Sequence, residues 1–119
     1  MAKTADLTTL LERLLATDVE FVLVGGLAAV VHGAPLTTFD VDIVHRRTEE
    51  NVDRLMGFLA SVGAYYRNRP GPPLPPKRSA LLGPGHSLFM TDLGLEAARR
   101  AGMSRVDVRT LPELTSAVG

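Results

Sequence analysis

The chain has 119 residues, 45% of them hydrophobic, and its 13 lysines and arginines balance its 13 aspartates and glutamates. This length and apolar content predict a single domain over residues 1–119 with one modest core. Cysteine is absent, which excludes disulfides, thiolate nucleophiles and zinc or iron–sulfur sites with Cys ligands.

The first predicted element is an amphipathic helix. Its apolar positions follow the i, i+3, i+4, i+7, i+8 spacing of one helical face, namely Leu7, Leu10, Leu11, Leu14 and Leu15. Thr4 or Asp6 is expected to cap its start. Because Glu12 and Arg13 interrupt this stretch, it is neither a signal peptide nor a membrane span, and we expect a cytoplasmic protein without a membrane partner.

A strand, a glycine turn and a short helix are predicted next. Residues 19–24 are apolar and rich in valine, and they stop at Gly25 and Gly26. Residues 27–32 suit a short buried helix that ends at Gly33. Glycines between a strand and a helix let the backbone approach a phosphate, although a tight structural turn is their commoner role.

The next predicted strand carries a pair of carboxylates. Over residues 39–45, Val41 and Ile43 share one face with Phe39, and Asp40 and Asp42 share the other. At ~6 Å and an effective dielectric of ~20, the repulsion between two such charges is on the order of 3 kcal/mol. Solvent, a shared proton or a divalent cation would offset it, and paired hard oxygen ligands suit Mg²⁺. The solvated face of an edge strand is the alternative interpretation.

The remaining elements complete a domain of mixed class. Thr48 is expected to cap a helix that ends at Gly63, and the proline-rich residues 69–76 predict an extended loop. Strands at 87–91 and 105–109 and a helix at 95–101 follow. This order predicts an α/β or α+β domain with a small mixed sheet and helices mainly on one face.

The glycine pair and the aspartate pair together resemble the signature of the polymerase-β-like nucleotidyltransferases. That signature is a hydrophobic residue, Gly-Gly or Gly-Ser, a spacer, and then Asp-hydrophobic-Asp. The segment from Phe21 to Asn51 is similar to the small bacterial branch that includes the AbiEii-like toxin nucleotidyltransferases. The resemblance covers residues 19–63, becomes faint beyond them, and implies a minimal nucleotidyltransferase fold.

The resemblance also implies roles for the motif residues. Gly25 and Gly26 would hold the triphosphate of an NTP, with Thr38 hydrogen-bonding the turn. Asp40 and Asp42 would bind one or two Mg²⁺, or Mn²⁺, and act in catalysis. The implied reaction moves an NMP to a hydroxyl of an acceptor, either RNA such as tRNA or a protein. A toxin–antitoxin setting would add an antitoxin or a second copy of the chain as partner.

The family further implies a third carboxylate on a later strand. Asp92 is the first candidate and Glu96 the second, with a helix cap and a solvated helical position as their respective alternatives. Asp107 is expected to be exposed between charged neighbours. The C-terminus is short relative to the family, so a catalytically degenerate nucleotide-binding or protein-interaction module on the same fold stays the alternative function. An Asp-x-Asp glycosyltransferase is disfavoured by length.

Other polar residues are expected to be structural. His32 should cap a helix end and His45 should face the core, and no histidine pair has the spacing of zinc ligands. Arg67 and Arg69 flank the proline loop with Lys77 and Arg78. These cations would suit phosphate or an RNA acceptor, but zero net charge and few aromatic residues favour a solubilising role.

Overall fold

Five strands form one mixed sheet in the computed structural model, which describes residues 2–33, 40–67, 69–91 and 107–110. The strands are β1 (Phe21–Val24), β2 (Asp40–His45), β3 (Tyr65–Tyr66), β4 (Ser87–Met90) and β5 (Asp107–Thr110). Their order across the sheet is β1-β2-β5-β4-β3. Strands β2 and β5 are parallel, and every other neighbouring pair is antiparallel.

Four helices accompany the sheet within the described ranges. They are α1 (Ala2–Leu15), α2 (Gly25–Val31), α3 (Glu49–Ser61) and α4 (Arg78–Leu82). The predicted α+β class with a mixed sheet is confirmed. The described part of the chain contains no helix with both the length and the hydrophobicity required to cross a bilayer.

Two short elements were not predicted, and one predicted cap is wrong. The two-residue strand β3 and the five-residue helix α4 are too short for hydrophobic periodicity to reveal. Helix α1 begins at Ala2, ahead of Thr4 and Asp6, so neither residue is its N-cap. The helix predicted at 95–101 lies outside the described residues.

The core lies on one face of the sheet, between the strands and the helices. Alternation along β2 buries Val41 and Ile43 completely, and Phe89 of β4, two strands away, belongs to the same core cluster. Helices α1, α3 and α4 supply the opposing layer, so these three helices share one side, as predicted. The buried helix residues of this cluster are Leu10, Leu14, Val52, Leu55, Phe58, Leu59 and Leu81.

Helix α3 has the ends that its sequence predicts. The Thr48 hydroxyl oxygen accepts a hydrogen bond from the Asn51 backbone N–H at 3.2 Å, which satisfies one of the free donors of the first turn. Glu49 and Glu50 lie in that turn, where negative charge is favourable. Gly63 follows the helix with φ of 64°, in the left-handed region that glycine adopts without strain.

The side chain of Asn51 joins three segments of backbone. It is fully buried, and its Oδ1 accepts from the Glu20 N–H at 2.7 Å. Its Nδ2 donates to the carbonyl oxygens of Glu20 at 2.9 Å and of Arg46 at 2.8 Å. The amide therefore fixes the start of β1 against the end of β2, which sets the positions of the two motifs carried by these strands.

His45 has the structural role expected of it. Its side chain is buried at the end of β2, and its Nε2 lies 2.8 Å from the carbonyl oxygen of Leu81 in α4. Because a carbonyl oxygen only accepts, Nε2 carries the proton. The imidazole thereby connects the sheet to α4 and is turned away from the carboxylate face.

Replacing Asn51 with alanine should destabilise the protein by about 2–4 kcal/mol, because three part-buried hydrogen bonds to the backbone of Glu20 and Arg46 are lost. Urea unfolding should show a lower midpoint with an unchanged m-value. Arg54→Ala, at an exposed position of the same helix, is the control and should stay within about 0.5 kcal/mol of wild type. Equal stability of the two variants would contradict the role given to Asn51.

Candidate functional site

The glycine turn and the aspartate strand meet at one end of the β1–β2 pair. These strands are antiparallel, and Val24 at the end of β1 is in register with Asp42. Gly25 follows directly and opens α2 with φ of 73°, in the left-handed region. Two motifs separated along the chain are therefore neighbours in space.

Gly25 leaves room for the carboxylate of Asp42. A Cβ atom built on Gly25 would collide with Oδ2 of Asp42 and would lie 3.2 Å from its Cβ and Cγ. Together with the positive φ, this close approach requires glycine at position 25. The glycine thus fixes where the carboxylate can lie, and the carboxylate lies against bare backbone.

Asp42 lies on the face of β2 opposite the core. Its strand neighbours Val41 and Ile43 are fully buried among the helices, whereas Asp42 is half-buried and its Oδ1 is shielded from solvent. A partly shielded carboxylate interacts with a cation in a lower effective dielectric than an exposed one. This position strengthens any interaction between Asp42 and a positively charged ligand.

Strand β5 brings a further acidic residue into register with the aspartate pair. Asp40 is the Cα partner of Asp107, and Asp42 is the Cα partner of Arg109, across a parallel pairing. Neighbouring strands lie about 4.8 Å apart, and residues in register belong to the same face of a sheet. The Asp40, Asp42 and Asp107 positions therefore cluster on one face of two adjacent strands.

Sequence reasoning did not single out Asp107. The sequence around Asp107 alternates Val106 and Val108 with charged residues, as the sequence around Asp40 and Asp42 does. This alternation predicts a strand, but it does not identify the strand that pairs with it, because strand order depends on contacts between segments distant in sequence. The register, not the local pattern, brings this residue to the site.

The other predicted site residues divide into two groups. Gly26 is the second residue of α2, and Asp40 is the first residue of β2. Thr38, Asp92 and Glu96 lie outside the described residues, so the roles predicted for them stay predictions. His32 is the C-cap residue of α2, where its backbone N–H donates to the Ala28 carbonyl at 3.1 Å while its side chain is exposed.

Carboxylates are the ligand type that Mg²⁺ prefers. Of the three at these positions, the structure describes the side chain of Asp42, which lies beside a backbone surface that a Cβ would fill. Among the side chains that the structure describes, no three of His, Asp and Glu are grouped closely enough to hold a metal. The side chains of Asp40 and Asp107 are not within that set.

Comparisons of this chain with family models, with curated proteins and with solved structures find no match.

Three Gly→Ala variants separate the two contributions at position 25 to the free energy of unfolding, namely the close approach to Asp42 and the positive φ. Gly33 also has positive φ, at 99°, but open space around it, so Gly33→Ala should cost about 1 kcal/mol. Gly57, inside α3 with open space around it, should gain roughly 0.5–1 kcal/mol from alanine. Gly25→Ala should cost more than Gly33→Ala, by chemical denaturation.

Removing the Asp42 carboxylate provides the control for the extra cost of Gly25→Ala over Gly33→Ala. In the Asp42→Ala background, the cost of Gly25→Ala should fall toward that of Gly33→Ala, because the collision with Oδ2 is removed and only the 3.2 Å approach to the Cβ of residue 42 and the conformational penalty are left. An unchanged cost of Gly25→Ala in that background would show that the contact with Asp42 does not determine the residue at position 25.

Proposed function

We propose that this protein is a Mg²⁺-dependent nucleotidyltransferase of the cytoplasm that moves an NMP from an NTP to a hydroxyl-bearing acceptor. The observation that carries the proposal is the contact between Gly25 and Asp42. It supports a site in which a phosphate-accommodating turn adjoins a metal-binding strand. The toxin–antitoxin setting rests on the sequence resemblance alone.

Each part of the site has a task in this reaction. Gly25 and Gly26 let the triphosphate approach the backbone closely, since no side chain intervenes at position 25. Asp40, Asp42 and Asp107 would hold the cation from two adjacent strands. A bound Mg²⁺ would supply neutralisation of the phosphate charge. The acceptor hydroxyl attacks the α-phosphate in line, so that its oxygen bonds to phosphorus as the bond to pyrophosphate breaks and pyrophosphate leaves. The strands supply position, because both are fixed by pairing on either side.

We further propose Asp107 as the third carboxylate of the site. Its register with Asp40 supports this assignment, while Asp92 and Glu96 are supported by sequence order alone. Paired positions on adjacent strands lie about 4.8 Å apart, a separation at which two carboxylates can share one divalent cation. The same register gives the neighbouring position to Arg109, a cation suited to a phosphate oxygen.

Nucleotide binding should be visible as metal-dependent stabilisation. At a ligand concentration 100 times Kd the stabilisation is ~2.7 kcal/mol, which raises the Tm of a domain this small by several degrees. Wild type should show this shift with at least one NTP and Mg²⁺, and the Asp40→Asn/Asp42→Asn variant should not. The Glu49→Gln/Glu50→Gln variant, exposed on α3, removes two charges elsewhere and should keep the shift.

Absence of a shift with every NTP would contradict the proposal. A shift without transfer of label from α-labelled NTP to RNA or protein would favour the degenerate nucleotide-binding module.

Three variants identify the third carboxylate. Asp107→Asn should lower label transfer by at least about a hundredfold, a loss typical of removing electrostatic stabilisation from an active site. Asp92→Asn and Glu96→Gln should keep transfer within a few-fold of wild type. If Asp92→Asn or Glu96→Gln loses transfer while Asp107→Asn stays active, the third carboxylate is Asp92 or Glu96, respectively, and not Asp107.

A further inference from the structure

The chain between β3 and α4 contains a proline segment, residues 72–77, whose path follows from its residue types. Proline occupies four of the five positions from 72 to 76. Each ring holds its own φ at about −65° and keeps the residue before it extended. The structure shows neither helix nor strand over residues 73–77, and Lys77 is extended, with φ of −108° and ψ of 124°. The segment therefore follows a polyproline II path with three residues per turn.

One tyrosine of the edge strand β3 fixes the proline segment to the sheet. The Leu74 carbonyl accepts a hydrogen bond from the Tyr66 N–H at 2.9 Å. The Lys77 N–H donates to the Tyr66 hydroxyl at 3.1 Å. Leu74 is half-buried at this contact. The segment is thus held in place at its middle and at its end.

The prolines of the segment face solvent on two of its three sides. With three residues per turn, Pro72 and Pro75 share one side, Pro73 and Pro76 share the next, and Leu74 belongs to the third. Pro72, Pro73 and Pro75 are exposed, whereas Pro76 is half-buried. No described residue donates a hydrogen bond to the carbonyl oxygens of Pro72, Pro73 and Pro75. Both the rings and the carbonyls on these sides are available to another molecule.

Open space borders the first half of the segment. A cavity of about 260 Å³ has Tyr65 and Tyr66 of β3 and the rings of Pro72 and Pro73 in its lining. These two prolines are therefore separated from the strand by a cavity and are not packed against it. Their exposure is a property of the fold at this edge of the sheet.

The cations at the end of the segment are not equivalent. Arg78 donates to Asp53 at 2.6 Å and lies 3.5 Å from Glu49, both on α3, and its hydrogen bond lowers the pKa of Asp53. This pairing holds the start of α4 against α3. Lys77 is exposed and makes no ion pair with any side chain that the structure describes. Arg78 thus has a structural role, and the Lys77 ammonium is available to a partner.

We infer that the proline segment is a docking motif for a partner protein whose groove is lined by aromatic side chains and carries acidic residues at one end. Such grooves bind polyproline II segments with the spacing Pro-x-x-Pro. Within the segment this spacing occurs twice, at Pro72 and Pro75 and at Pro73 and Pro76. The Lys77 ammonium follows directly, and its charge complements acidic residues at the end of the groove.

The fold lowers the cost of this docking. A free peptide loses backbone and side-chain freedom when it binds, which reduces its affinity. Here the proline rings and the two hydrogen bonds with Tyr66 fix the path before a partner arrives. The segment lies along β3, at the opposite edge of the sheet from β1, so a docked partner leaves the Gly25–Asp42 contact uncovered. The inference does not rest on the proposed function.

NMR titration of the intact protein into a panel of ¹⁵N-labelled SH3 domains with acidic residues beside the groove tests the inference. Wild type should shift the groove signals of at least one domain. The Pro72→Ala/Pro75→Ala variant should bind that domain at least about tenfold more weakly, because two anchor rings are truncated. Pro70→Ala is the control. Pro70 also stands three residues before a proline, but the φ of 88° at Gly71 ends the polyproline II path, so this variant should bind as wild type does.

The charge has its own pair of variants. Lys77→Glu should weaken binding at least about tenfold and make it less sensitive to salt, because an ion pair with the groove is lost. Arg54→Glu makes the same charge change on exposed α3 and should bind as wild type does. Urea unfolding should show that every variant is folded at the temperature of the titration.

A peptide of residues 71–78 shows whether the fold presents the segment. The intact protein should bind the same domain a few-fold more tightly than the peptide, since its path is already fixed. No binding of any domain by wild type, or binding by the peptide without binding by the intact protein, would overturn the inference. Equal losses in Pro70→Ala and Pro72→Ala/Pro75→Ala would also overturn it.

The outcomes are independent of those for the proposed function. The Asp40→Asn/Asp42→Asn variant should lose the Mg²⁺·NTP shift and keep binding to the SH3 domain. Lys77→Glu should keep the shift and lose the docking.

Discussion

The contact between Gly25 and the Asp42 carboxylate is the constraint on which the proposed site depends. A side chain at position 25 would have to displace that carboxylate, and the positive φ there already disfavours any other residue. The buried amide of Asn51 holds the start of β1 to the end of β2, and so maintains the strand pair that brings the two residues together. Stability and function are therefore connected through one strand pair.

The two faces of the sheet have different tasks. On one face Val41, Ile43 and Phe89 belong to the core cluster that includes buried residues of α1, α3 and α4. The other face carries Asp42 and, by register, the positions of Asp40 and Asp107. Because side chains alternate along a strand, the neighbours of each core residue belong to the face of the proposed site. A shift of one residue in the register of β2 would turn the carboxylates toward the core and Val41 and Ile43 toward the opposite face.

Much of this arrangement follows from local sequence. The period of α3 and its Thr48 cap, the alternation of β2 and the stop at Gly25 were all predictable, because each depends on residues close together in the chain. Strand order was not, since the parallel pairing of β2 with β5 joins residues 67 positions apart, from 40 to 107. For that reason Asp107 was read as an exposed charge, and the cavity beside Tyr65 had no sequence signal.

Paramagnetic broadening by Mn²⁺ tests the central claim most directly, because it locates a bound cation without requiring turnover. Substoichiometric Mn²⁺ should broaden the backbone amide signals of Gly25, Gly26, Asp42 and Val108 before those of α3, and excess Mg²⁺ should reverse the effect. Asp107→Asn should weaken the broadening. Uniform broadening, or broadening centred on the acidic residues of α3, would contradict a cation site between β2 and β5.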